Sequence, residues 1–487
     1  MTVVLILLTT LGAAAALLSL ALPTWAAQAV TVTSGVVCLG LSFVLVVPTS
    51  HAPVQAGFLR ADAVSTVFLI ATAFLYAAAA VYSIGYLRHH AGHGRYLQRF
   101  YLGLNAFGWS MLCAPLVDGL ALLWVAIEIT TVVSALLVAI DRTKSSAEAA
   151  WKYVLIASAG LGIGLFATIV LYYAGSQVYG TSYDLTLSQM IAAGHRLPVT
   201  PVRLAFVLAV LGYGTKVGLV PVHTWLPDAH SEAPTPISAM LSGSLLVVSF
   251  YAVLRYVQIT SPTLGAGFDR TILIVFGVLS LLVAGLSLLR QRDVKRLLAY
   301  SSVEHMGILC LGVGFGAPIA LAGVLLHVLA HAAAKGNAFF AAGVLLRKFG
   351  TKDIRQIRGG LDVLPWTGPL LLCAVLALSA LPPFGIFRSE FQIVAGGLGD
   401  GKTTFAAILV VLVTVAFLGM AVSFTRVLFI SAPRTPEAVV TRGEPSAWMV
   451  APMVVGLIAL VVLGVHPPDA LTHLLSQGVI ELGSGGS

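Results

Sequence analysis

Charge is what this sequence has least of. Only 9% of its 487 residues are Asp, Glu, Lys or Arg, while 58% are hydrophobic and the mean hydropathy is +0.97. Soluble proteins carry roughly 25% charged residues, so a soluble multidomain enzyme is excluded and the bilayer is the solvent of this chain. Cysteine is almost as scarce. Cys38, Cys113, Cys310 and Cys373 each stand alone in an apolar stretch, without the CxxC spacing of iron–sulfur or zinc sites. They read as packing residues. No glycine-rich nucleotide fingerprint and no metal-ligand set is present, so no cofactor is expected. The net charge of +8 is spread over many short loops; it forms no patch interleaved with aromatics, which argues against nucleic acid as a partner. The first apolar run, 2–22, lacks a basic segment before it and outlasts a signal-peptide core, so it is expected to stay as a first spanning helix.

What the sequence does have is apolar runs long enough to cross ~30 Å of hydrocarbon as helices. They fall near 2–22, 27–48, 61–86, 100–117, 119–140, 150–173, 203–221, 234–256, 270–289, 298–315, 317–346, 366–395, 403–430 and 447–465. The expected fold is an all-α polytopic membrane protein of about fourteen transmembrane helices. Loops on one side carry most of the basic residues, among them Arg88, Lys144, Arg292, Lys352, Arg434 and Arg442. The other side carries Arg60, Arg196, Arg203, Arg255, Arg270 and Lys402. The positive-inside rule makes the first side cytoplasmic and places both termini outside a cytoplasmic membrane.

Two spans are interrupted. The seventh reads GYGTKVGLVPVHTWLPDAH, with Gly214, Gly218 and Pro221 where a helix interior would lose hydrogen bonds; the twelfth has Pro382, Pro383 and Gly385 in LSALPPFGIFRSEF. Either these are ordinary proline kinks, or they mark a five-helix unit used twice, spans 4–8 and 9–13, the second copy inverted because each unit holds an odd number of helices. On the second reading the chain divides into 1–98 (helices 1–3), 99–257 (first repeat), 268–431 (second repeat) and 447–487 (last helix and a short external tail).

The few charges inside spans carry the functional signal. Glu128, Lys216, Lys335 and Glu390 lie in apolar runs, where each charge costs on the order of 2.5–3.5 kcal/mol. They must be paired, hydrated or neutralised. His327, His331 and Lys335 recur at i, i+4, i+8 and so form one polar stripe along a helix face. A histidine takes and passes a proton near neutrality, and a desolvated lysine releases one readily. The competing reading is structural: static ion pairs, or histidines that join helices by hydrogen bonds, His223 included. Asp228, His230 and Glu232 follow span seven between Pro227 and Pro234, as a proton-collecting cytoplasmic mouth or as a turn with helix-capping acids. Glu304 and His305 open the same two possibilities at span ten, mouth or loop-end polarity.

The stretches WVAIEITT, EAAWKY, GTKVGLVPVHTWLPDAHSEAPTPISAMLSG, QRDVKRLLAYSSVEHMG, HVLAHAAAKGNAFF and LPPFGIFRSEF resemble the antiporter-like proton-channel subunits of respiratory complex I, Mrp-type cation/proton antiporters and group 4 membrane-bound hydrogenases. With YSIGYLRH and SSVEHMG the text looks closest to the component F branch of hydrogenase-4. The resemblance implies a proton-translocating subunit of a redox-driven complex, or alternatively a subunit of an Mrp-like cation/proton antiporter. It implies Glu128 and Lys216 as the essential pair, His331 and Lys335 as a central relay and Glu390 as the exit-side residue. Partners would be further membrane subunits of the same family and a peripheral module carrying iron–sulfur clusters. Two departures stand out. Span eight offers only Ser242, Ser244, Ser249 and Tyr251 where many relatives have a lysine or histidine, so the link between half-channels needs water or hydroxyls; and no long lateral helix follows the last span.

Overall fold

The computed structural model describes residues 1–90, 94–430 and 441–483. Arg434, residue 431 at the end of the second expected repeat and residues 484–487 of the expected tail lie outside the described residues. Long apolar segments become helices: α1 (Thr2–Ala21), α2 (Thr24–Val44), α3 (Ala63–Tyr86), α4 (Gly94–Cys113), α5 (Leu120–Val138), α6 (Lys144–Tyr179) and α7 (Val199–Val217). A short α8 (Leu226–Glu232) leads into α9 (Thr235–Gly265), α10 (Gly267–Leu288), α11 (Val294–Phe315) and α12 (Pro318–Phe349). Then come α13 (Thr367–Leu378), α14 (Gly385–Gly399), α15 (Thr403–Phe429), α16 (Ala447–Val465) and α17 (Asp469–Gly483). Eleven helices among the described residues are long and apolar enough to cross a membrane by themselves. The remaining expected spans, at α4, α7 and the pair α13 and α14, are helical, but they are too polar or too interrupted to meet that measure.

Local chemistry sets the helix ends. Asp62 accepts from the Ser65 amide (2.8 Å) and caps α3, while Asp293 caps α11 through the amides of Lys295 (2.8 Å) and Arg296 (3.0 Å). α7 stops because Gly218 turns left-handed (φ 84°), a conformation that disfavours any residue with a Cβ. α3, α9, α11 and α12 are buried along most of their length and form the centre; α1, α2, α15 and α16 face outward.

Two expectations need correction. The segment after the last span is not a tail: α17 folds back, and its Glu481 carboxylate accepts the amides of Ala63 and Val64 (both 3.1 Å) at the free N-terminus of α3. Arg60 and Arg255, counted among surface cations, are buried. Both bind Asp62, at 2.6 and 2.5 Å, and Arg255 also reaches Gln258 (2.7 Å), whose amide donates to the Glu481 carbonyl (2.9 Å). A buried guanidinium is tolerable only when paired with a carboxylate in this way.

Candidate functional site

Lys216 occupies the last turn of α7, where carbonyls left without helical partners concentrate negative charge that favours an ammonium. Its side chain is fully buried and donates to Thr131 of α5 (2.8 Å) and to the Tyr153 hydroxyl of α6. The Tyr153 hydroxyl lies 2.7 Å from that of Ser134. Trp225, beyond the break, stacks on Tyr153 (4.4 Å between ring centres) and donates its indole N–H to the Thr215 carbonyl (2.8 Å), a group the interruption has released. Glu128 lies half-buried one turn from Thr131 and accepts from Ser158 (2.9 Å), while its second oxygen is buried without a partner. The expected glutamate and lysine are neighbours on facing helices but form no ion pair within 4.0 Å. Hydroxyls, not a carboxylate, hold the ammonium.

A second cluster gathers around α12. His327, His331 and Lys335 are all fully buried on the stripe that their spacing predicts. His305 of α11 joins them, its Nδ1 lying 3.1 Å from His327 Nε2, with ring centres 5.1 Å from both His327 and His331. His327 Nδ1 pairs with Ser389 Oγ of α14 (2.9 Å), and Glu390 Oε1 is 3.9 Å from His305 Nδ1. His331 Nε2 faces the Ser242 carbonyl (3.4 Å), which a π-helical turn over Leu241–Leu245 turns outward. Lys335 donates to the Leu298 carbonyl (3.1 Å).

Glu304 and His305, expected at a cytoplasmic mouth, are interior residues. α11 begins at Val294, so ten residues carry Glu304 roughly 15 Å into the helix. His230 is likewise no surface residue: it is fully buried between Trp225 and Phe339, its Nδ1 2.7 Å from the Leu226 carbonyl and its Nε2 without a partner. Its neighbour Asp228 does lie at the rim, bound to Arg296 (2.9 Å) and near Lys152 (3.8 Å). These three residues, with Glu148 and Glu232, line a cavity of about 260 Å³. Burial raises the Glu232 carboxyl, but hydrogen bonds from Lys352 (2.6 Å) and Ser145 (2.9 Å) win and hold it below its ordinary value. His223 sits in the α7–α8 break, edge-on to Tyr300 (6.4 Å) and apart from the Lys216 partners.

Sequence reasoning missed Thr131, Tyr153, Ser158, Trp225 and Ser389, because hydroxyls and aromatics in apolar runs look like packing until a charge stands beside them. Of the hydroxyls foreseen in span eight, that of Ser242 pairs with Ser302 of α11 (2.7 Å) while its backbone carbonyl faces His331, whereas Ser249 bonds its own helix at Leu245. Among the described residues no direct side-chain hydrogen bond joins the Lys216 cluster to the His331 cluster.

With this geometry in hand, similarity to known proteins is informative. The profile of the family described as NADH:quinone oxidoreductase/Mrp antiporter, transmembrane, matches residues 118–417. The chain is 36% identical to a hydrogenase-4 component F homolog of Methylacidiphilum infernorum over 73% of its own length and 76% of that protein's. It is 31% identical to NADH-quinone oxidoreductase subunit N of Desulforudis audaxviator, covering 84% and 82% of the two chains. A chain of the Mrp complex from a Dietzia species superimposes with a TM-score of 0.85 at 20% identity, over 98% of this chain and 96% of that one.

Proposed function

Since the chain belongs to the NADH:quinone oxidoreductase/Mrp antiporter transmembrane family, we propose that this multi-pass membrane protein translocates protons as one subunit of a redox-driven complex of the hydrogenase-4 or NADH-quinone-oxidoreductase kind. Residues 99–257 and 268–431 act as inverted half-channels, with residues 1–98 and 447–487 outside the repeats. Protons enter at the basic, cytoplasmic side past Asp228, and both termini are external. The route runs over Glu128 and Lys216, with His223 and His230 beside the break, then past Ser242 to His331, His305, His327, Lys335 and Glu304, and leaves by Glu390. Water and freed carbonyls bridge the gap at Ser242. A peripheral iron–sulfur module and further membrane subunits supply the redox drive.

One observation carries this reading: a fully buried lysine held by two hydroxyls, with no carboxylate in contact. An ion pair that served only packing would close on its partner; a lysine poised between hydroxyls can lose its proton and regain it as the charge on Glu128 changes its surroundings. The test is Lys216→Arg in the assembled complex, reconstituted in proteoliposomes. Guanidinium stays protonated, so ΔpH formation should vanish while assembly persists, and normal pumping by this variant would make the lysine structural. A second reading, cation/proton exchange, is favoured by Glu390, which lines a cavity of about 390 Å³ beside the second break with Ser379 and Thr414, where a sodium ion would also find oxygen donors. Sodium-dependent ΔpH dissipation without a redox substrate would select it.

A further inference from the structure

The histidine cluster has a property that proton passage does not require. One donor nitrogen from each of His305, His327 and His331 lies within 4.8 Å of the others, and all three side chains are fully buried, on two consecutive helices packed against each other. His305 Nε2 and His331 Nδ1 have no hydrogen-bond partner, nor has Glu390 Oε1, which is 3.9 Å from His305 Nδ1. Three imidazoles of the kind that bind borderline cations thus gather round one small volume, with the Glu390 carboxylate beside His305.

The spacing suits a tetrahedral ion. Bonds of about 2.0–2.1 Å from zinc to imidazole nitrogen place ligand nitrogens about 3.3–3.4 Å apart. The His305 and His327 nitrogens are already 3.1 Å apart, and ring rotation can bring the third inward. Ser389, 2.9 Å from His327 Nδ1, fixes that ring from behind, as the outer partners of metal-bound histidines do. Glu390 also forms part of the wall of the 390 Å³ cavity, so the fourth donor links that cavity to His305, 3.9 Å away. Glu390 and the buried Glu304 supply two negative charges against the two of the ion.

We propose that His305, His327, His331 and Glu390 form a site for a borderline divalent cation, with zinc(II) the best match, and that its occupation blocks proton passage through this half of the chain. The working form is metal-free; zinc is an inhibitor that occupies the lone pairs a proton would use. Only the blocking clause rests on the proton-conducting reading. Binding does not.

The purified whole complex, loaded with Zn²⁺ and passed over a metal-free column, should keep one zinc more per copy of this chain than a His305→Gln/His331→Gln complex. Loss of an outer partner alone costs metal sites roughly 10–100-fold in affinity, so removal of two ligands should weaken binding by more than about 100-fold. Equal zinc content in the two complexes overturns the site. The exposed His466→Gln/His473→Gln pair should retain wild-type zinc, and loss there would overturn it too. Should the double variant fail to assemble, the unmutated complex still decides: with Co²⁺ as probe the site should give the intense visible bands of tetrahedral nitrogen coordination, and the weak spectrum of an octahedral oxygen site overturns it. Zinc held by the cluster while ΔpH formation continues supports the site and overturns the proton route; zinc held together with loss of ΔpH supports both.

Discussion

Lys216 and Lys335 are equally buried, yet their surroundings were built with different chemistry. Lys216 ends a broken helix and is held by Thr131 and Tyr153, with Glu128 and Ser158 nearby. Lys335 lies in an unbroken helix, bonded to a backbone carbonyl, one end of a stripe whose other members are imidazoles. The broken helix of the second half, α13 to α14, contributes a carboxylate, Glu390, where the first contributes an ammonium. On the proposed route, one half-channel rests on one carrier among hydroxyls and the other on several relays sharing the load, which predicts that the first is fragile to a single substitution and the second redundant.

Four experiments on the reconstituted complex sharpen or break that contrast, in decreasing order of expected effect. Lys216→Ala should lower the rate of ΔpH formation by at least about 100-fold, the scale of losing a positioned acid–base group. Assembly should be intact by native gel, and wild-type pumping by that variant would end the single-carrier view. Ser242→Leu comes next. It fills the gap that the proposed route crosses and should nearly stop transport, whereas Ser242→His should restore much of it as a relay; equal rates for the leucine variant and wild type would leave two independent half-channels. His305→Gln removes one of three imidazoles and should cost about tenfold, or ~1.4 kcal/mol in barrier height. A loss as large as that of Lys216→Ala would show the second half to be as fragile as the first. Ser158→Ala deletes one hydrogen bond to Glu128, worth about 1 kcal/mol, so its initial rate should fall no more than about fivefold.

Much of this could be read from the chain alone, for identifiable reasons. A charge in an apolar run is too costly to be incidental, so Glu128, Lys216, Lys335 and Glu390 announced themselves, and the i, i+4, i+8 period placed His327, His331 and Lys335 on one face. Glu304 and His305 lie deeper than a mouth or a loop end because the Asp293 cap starts α11 at Val294, four residues before the expected span, early enough to bury them. His230 was misplaced because prolines on both sides suggested a surface turn, while the chain after the break re-enters the packed interior. The two hydroxyl partners of Lys216 come from two other helices, a convergence that no local pattern encodes. The same holds for Arg255, whose neighbours in sequence gave no sign of Asp62, 193 residues away.

The clasp between Glu481 and the start of α3 has a consequence in time. Ala63 and the carboxylate that receives its amide are separated by 418 residues. At a synthesis rate of about 5–20 residues per second, roughly 20–80 s pass between the making of one and the other. Through that interval the amides of Ala63 and Val64 have no acceptor from α17, and Gln258 lacks the carbonyl it will later bind. The newborn chain therefore exists first without this clasp and then with it, the change coming only when its last helix has been made.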